Sequence, residues 1–160
     1  MSNLAFLSPD EARPEGGFAP LARSPLERAL AGAEGIRDLS LLGKLELRGS
    51  TGGLDVEGDV ITIEPHRALV VCATERCTEL RRTLPGVVID LTGALAGIEI
   101  EGDVLMRRLT DLDLARLPAV GKLAGVPALV SRHDTRFHIF FPQEYGDSVV
   151  GVVRDLMEGL

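Results

Sequence analysis

Cys72, Cys77, His66, His133 and His138 are the side chains in this sequence best suited to hold a metal or to act as nucleophile or base. Their spacing decides how far that chemistry reaches. A zinc ribbon needs paired Cys-x-x-C units, and two cysteines five positions apart supply none, so both read as small packing residues of a reducing compartment. A metal-binding histidine pair on one strand face sits two residues apart. His133 and His138 flank a hairpin and His66 lies in the turn EPHR, so structural roles and no metal site are expected. No Walker loop and no Gly-x-Gly-x-x-Gly following a strand is present to cradle a phosphate. LVVCAT reads as core, not as a nucleophile elbow.

The elements that must position these residues alternate between strand and helix. In KLELR, Leu45 and Leu47 point one way and Lys44, Glu46 and Arg48 the other, which predicts a strand with one wet face. IEIE repeats the pattern, with Ile98 and Ile100 inward. VITIE and RALVVCA follow the first of these strands, and VVIDL precedes the second. Thr74 is placed to cap a helix over ERCTELRRTL, with Cys77, Leu80 and Leu84 on its buried stripe, and DVLMRRL reads as a second helix. KLAGVPALVSR and RFHIFF read as paired strands around HDT. The closing QEYGDSVVGVVRDLMEGL is an amphipathic helix with Val149, Val152, Val153, Leu156 and Leu160 on one side. Earlier, Ser24, Pro25 and Glu27 make a capping box that predicts a short helix from about Pro25 to Ala33. Residues 1–23, rich in Pro, Gly, Ala and charge, read as a flexible arm, and residues 24–160 as a single domain of α+β class.

RFHIFFP holds three of the five phenylalanines. Phe137, Ile139 and Phe141 share one face, and Phe140 shares the other with His138. That is the pattern of a central covered strand, or, if Phe140 is exposed, of a patch for a protein partner. Twenty-four acidic against seventeen basic residues leave a net charge of −7, which disfavours nucleic acid and anionic membranes as partners. The first residues lack a basic segment ahead of an apolar run, and no stretch reaches membrane-spanning length, so a cytoplasmic protein is expected.

One pattern occurs twice: DLSLLGKLELRG from Asp38 and DLTGALAGIEIEG from Asp90. It reads as an internal duplication, with Asp38 and Asp90 as strand-lead or turn residues. If the two strands pair, Lys44 and Arg48 face Glu99 and Glu101.

GIRDLSLLGKLELRG and VVIDLTGALAGIEIEGDVLMRRL resemble, in order, the first and second motifs of the glycine cleavage T-protein (aminomethyltransferase) family. GVPALVSR, RFHIFFPQEYGDSVVGVVRDLMEGL and the whole run of residues 35–160 follow the same order. That resemblance implies duplicated, interlocked ferredoxin-like halves of a folate-binding domain, with mixed or antiparallel sheet and packed helices. The family's later Ala-Arg-Asp and Arg-x-Glu elements have no match, so a truncated form is expected. Within this superfamily the chain is similar to the gamma subunits of heterotetrameric sarcosine oxidases, which also carry an arm leading into Arg-Ser-Pro-Leu, here Arg23, Ser24, Pro25 and Leu26. The resemblance implies a non-catalytic subunit that assembles with larger flavoprotein subunits of an amine oxidase. Those subunits hold FAD, FMN, NAD and tetrahydrofolate, and the small chain holds none; Arg23 to Leu26 and Phe140 are its expected contact residues.

The T-protein family sets a catalytic Asp after Gly-Gly and before an apolar strand. GGLDVEGDVITIEP matches at Asp59, with Asp55 as the shifted alternative, although an Asp after Gly is also ordinary turn chemistry. The family's Tyr-Thr-Gly-Glu loop, whose Glu grips the pterin, is replaced by SRHDTRFH, where Asp134 is the nearest substitute. The missing Glu argues against a self-contained aminomethyltransferase; the alternatives open to this sequence are a stand-alone tetrahydrofolate-binding or aminomethyltransferase-like one-carbon protein that uses Asp59, and a regulatory small-molecule module.

Overall fold

A computed structural model describes residues 22–159. The arm expected over residues 1–23 lies almost wholly outside them. Among the described residues, nine strands form two antiparallel sheets, and three helices cover their outer faces. The first sheet is five-stranded and contains β1 (Arg37–Asp38), β6 (Leu95–Glu101), β9 (Arg136–Pro142), β8 (Val126–His133) and β7 (Ala119–Leu123), in that spatial order. The second is four-stranded, in the order β3 (Asp59–Glu64), β4 (Arg67–Cys72), β2 (Gly43–Arg48) and β5 (Val87–Asp90).

Alternation along each strand assigns its side chains to layers. Leu45, Leu47, Val70 and Cys72 face outward from the second sheet and bury against Leu80 in the middle of α1 (Cys77–Thr83) and Leu84 just past its end. Ile98, Ile100, Phe137, Ile139 and Phe141 face outward from the first sheet. They meet α2 (Asp103–Leu109) through Leu105, Met106 and Leu109 and α3 (Gly146–Glu158) through Val149, Val150 and Val153. Between the sheets, Leu39, Ile61, Leu69, Val71 and Phe140 form the inner core. The layers run helix, sheet, sheet, helix.

This stacking explains where the strands differ from expectation. Alternation puts Lys44 and Glu46 on a wet face, but that face of β2 turns toward the other sheet, and Lys44 is fully buried. Glu46 is buried with Arg48 Nε 2.6 Å and Arg67 Nε 3.1 Å from its Oε1. Nor do the echo strands pair with each other: β2 lies between β4 and β5, and β6 between β1 and β9.

The echo is instead met by a matched exchange of hydrogen bonds. Leu39 N donates to Gly97 O and Leu91 N donates to Lys44 O, both at 2.8 Å. The Ser40 hydroxyl accepts from Gly97 N and the Thr92 hydroxyl from Lys44 N, both at 3.1 Å. Asp38 and Asp90 each accept the amide two residues on, at 2.8 and 2.9 Å, which makes them the turn residues expected.

Two other elements differ. Ser24 Oγ accepts from Leu26 N at 3.0 Å, but Pro25–Gly32 form successive turns rather than a helix. Of the backbone bonds there, only Leu30 N to Leu26 O has α-helical span, and Gly32 at φ 73° ends the run before helical cooperativity sets in. KLAGVPALVSR holds two strands, β7 and β8, because Ala124 and Gly125 adopt φ 49° and 80° and turn the chain within it. Val152 on α3 is exposed, whereas Val150 is buried. Thr74 does not cap α1; its hydroxyl donates to Leu41 O.

Candidate functional site

Asp59 opens β3, and the chain reaches it through a glycine that no other residue could replace. Gly58 has φ 135°, and a Cβ there would lie 1.9 Å from Val71 O. Asp59 shares the inward face of β3 with Ile61, so its carboxylate points across the gap between the sheets.

The facing groups come from one hairpin. A two-residue turn, Asp134–Thr135, joins β8 to β9 and sets Ser131 opposite His138 and His133 opposite Arg136. Alternation then puts Ser131, His133 and His138 on one face, directed at Asp59. The Ser131 hydroxyl donates to Asp59 Oδ2 at 2.8 Å, and His138 Nδ1 lies 2.9 Å from the same oxygen. His133 Nε2 comes 2.7 Å from Asp59 Oδ1 but out of line, so this buried nitrogen makes no hydrogen bond. The two imidazoles lie 4.1 Å apart between centroids. On the far side of the ring, His138 Nε2 is 2.9 Å from Oε2 of Glu99, its partner across β6.

Burial pushes the Asp59 carboxyl up, but its bonds to His138 and Ser131 and the nearby His133 outweigh that and hold it below the ordinary carboxylate range. Its hydrogen bond to Asp59 pushes the His138 pKa up, burial opposes this, and Glu99 adds to the rise. An imidazolium at His138 donates at both ends, one N–H to each carboxylate. Beside this cluster opens a cleft of about 350 Å³, lined by Asp59, His133 and His138 together with Gly58, Cys72 and Arg76. Such an arrangement can bind a cationic or hydrogen-bond-donating group, shuttle a proton, or hold a metal.

The other expected site residues are not brought here. Asp55 is exposed in the loop before β3. Asp134 is exposed at the hairpin tip with φ 56°, and only its carbonyl is used, accepting from Arg132 Nε. His66 is exposed in the turn between β3 and β4. Two expected contact residues are interior. Phe140 is 0% exposed because both faces of β9 are covered, one by helices and one by the second sheet. Leu26 is 0% exposed and abuts Gly146, where a Cβ would come 2.6 Å from its Cδ2. Arg23 and Pro25 are exposed and Ser24 half-buried. Cys72 and Cys77 bring their sulfurs to 3.7 Å, next to Gly43.

His133, His138 and Ser131 are the residues that sequence reasoning missed. The available signal was the hairpin itself: a two-residue turn between SRH and RFH fixes a register that stacks the two histidines diagonally across strands.

No protein-family model matches the chain, and no curated protein sequence matches it. Among solved structures, a chain of the heterotetrameric sarcosine oxidase from Corynebacterium sp. U-96 in complex with pyrrole 2-carboxylate is similar in fold. It has a TM-score of 0.72 and 19% identity over 88% of this chain and 96% of that one. The regulatory subunit of aspartate kinase from Thermus thermophilus, in its ligand-free form, has a TM-score of 0.50 and 14% identity over 76% of this chain and 96% of that one. Both are likenesses of fold. No helix among the described residues is long and apolar enough to cross a membrane.

Proposed function

We propose that this chain is a small, gamma-like subunit of a multi-subunit flavin-dependent amine oxidase of the sarcosine oxidase type, and that it stabilises the larger subunits rather than turning over substrate. The observation that carries this reading is the fold likeness to a chain of a heterotetrameric sarcosine oxidase, which extends over 88% of this chain and 96% of that one. The reading puts FAD, FMN, NAD and tetrahydrofolate in the larger subunits and the complex in the cytoplasm.

The same reading treats the two sheets as duplicated, interlocked halves of a truncated folate-binding fold. What supports it is the reciprocal exchange in which Ser40 holds Gly97 and Thr92 holds Lys44. Purification of the tagged full chain from its own cells, followed by size exclusion with flavin absorbance, tests the assignment. A flavin-bearing complex that oxidises an N-methyl amine is expected. Elution of the chain alone, with no flavoprotein at any step, overturns it.

One observation favours a second reading. Asp59 is a buried carboxylate lining an accessible cleft, which suits a ligand nitrogen such as that of tetrahydrofolate. Calorimetric titration of the isolated chain with tetrahydrofolate, repeated on Asp59→Asn, separates the two: saturable binding lost in the variant supports the folate protein.

A further inference from the structure

We propose that Asp59, His133 and His138 form a binding site for a first-row divalent transition cation of the Zn²⁺ class, with Glu99 and Ser131 holding the ligands in place. The ligating atoms of the three residues all lie within 4.8 Å of one another. Two imidazoles and one carboxylate are a set that suits such cations and leaves a coordination position open. Here the open position faces the cleft of about 350 Å³, which also gives the ion its way in.

Three features point to a cation rather than to a hydrogen-bonded cluster alone. The first is His133 Nε2, which is buried and 2.7 Å from a carboxylate oxygen yet makes no hydrogen bond. An ion seated off the line between the two atoms satisfies both, which a proton between them cannot do. The second is the outer support. Glu99 Oε2 takes His138 Nε2 at 2.9 Å and so fixes the tautomer that presents Nδ1 inward, while the Ser131 hydroxyl donates to Asp59. A carboxylate behind a ligating histidine is a recurrent device for orienting the ring and raising its basicity. The third is charge. Among the described residues, the only cationic side chains within ion-pair distance of Asp59 are these two histidines.

On binding, the metal takes the place of the proton on His138 Nδ1, and that proton leaves to solvent. A tetrahedral ion at about 2.0–2.1 Å from nitrogen and oxygen sets its ligand atoms roughly 3.3 Å apart. The 2.7 and 2.9 Å contacts, made to different oxygens of Asp59, therefore open by about half an ångström, and wider pairs within the 4.8 Å spread close, both by side-chain rotation.

The full chain, stripped with a chelator and dialysed, is titrated with Zn²⁺ by calorimetry and with Co²⁺ by ligand-field absorption. One Zn²⁺ per chain and a cobalt spectrum of nitrogen and oxygen ligation are expected. His133→Gln, at a side chain 40% exposed and so tolerant of change, should weaken binding at least about tenfold with an unchanged circular dichroism spectrum. Glu99→Gln should weaken it by about 10–100-fold. His66→Gln, in its exposed turn, should leave binding as it is. Equal affinity in the wild type and His133→Gln, or loss of binding in His66→Gln, overturns the site, whatever becomes of the more deeply buried Asp59→Asn.

Discussion

Lys44 carries a cost that the fold tolerates for geometric reasons. Its ammonium is fully buried and donates to Ser40 O at 2.6 Å and Leu42 O at 2.8 Å. Burial lowers its pKa to about 8 from 10.5, although Asp38, Cys77 and Asp90 pull it back up. Since the folded pKa is the lower one, the cost of the buried charge is fully present below pH 8. Between about 8 and 10.5 the unfolded chain keeps a proton that the folded chain has released, so stability rises with pH. The slope from this group reaches about 1.4 kcal/mol per pH unit. Urea unfolding of the wild type and Lys44→Met over that range checks it: the difference between them should move in favour of the wild type as pH rises, and a flat difference refutes the release. Cys72 is the opposite case, a thiol with no use for its charge. Burial and then its Cys77 neighbour push it up to about 12, so it stays protonated. Iodoacetamide on the native protein should label half-buried Cys77 at least about tenfold faster than Cys72, read by peptide mass, with the two rates converging in denaturant. Neither sulfur's surroundings were legible in a count of Cys spacing, because their meeting depends on α1 folding back onto the end of β4. Asp59 was named through the resemblance to the T-protein family, whose motif, a Gly-rich approach and an apolar strand, is contiguous in sequence. His133 and His138 were not, because the rule of two applies along one strand and they face each other across two.

At the scale of elements, the doubled Asp-Leu-Ser/Thr motif gains a physical role. Each lead segment serves an interior strand of the sheet other than the one its own strand enters: Ser40, ahead of β2, holds Gly97 of β6, and Thr92, ahead of β6, holds Lys44 of β2. The two bonds are similar in length but not in setting, since Ser40 is 3% exposed and Thr92 half-buried. Ser40→Ala leaves a buried amide without its hydroxyl partner and should cost about 1–3 kcal/mol, whereas Thr92→Val should cost about 0.5–1.5 kcal/mol. Equilibrium unfolding of both single variants tests this, and equal costs would show that burial does not set the penalty. The strands themselves could be read from alternation, as could α1, α2 and α3 from their apolar stripes. Their partners could not, because alternation reports that a strand has two faces and says nothing of what covers the second. That is why Lys44 and Glu46, polar by type, read as solvent-facing and turned out to line the gap between sheets. The segment after Pro25 failed for a different reason. A sound cap cannot extend a helix that Gly32 stops within two turns, and Leu26 docks beneath α3 without one.

For the whole molecule, the question is whether two sheets with separate outer cores unfold together. The chain enters through β1 in the five-stranded sheet, builds the whole four-stranded sheet from β2 to β5, and returns through β6, so the five-stranded sheet is interrupted in sequence by the four-stranded one. Their shared layer centres on Phe140, whose ring lies over Gly97. A Cβ at Gly97 would come 2.8 Å from the ring, so the glycine is what lets it lie flat against β6. Phe140, from the five-stranded sheet, clusters with Ile61, Leu69 and Val71 of the four-stranded sheet and with Leu39 just past β1. Removing the ring opens a cavity in the one layer both sheets need, and Phe140→Ala should destabilise by about 3–5 kcal/mol. Because the lead segments interlock, the loss should fall on the whole chain. Two probes can follow the two sides: fluorescence of Tyr145, the single tyrosine, reports on the five-stranded sheet and its helices, and thiol exposure of the buried Cys72 reports on the four-stranded one. Their urea transitions should coincide in the wild type and again, at a lower midpoint, in Phe140→Ala. If Cys72 is exposed before Tyr145 responds, the sheets are separate folding units and the hydrogen-bond exchange between their lead segments does not couple them.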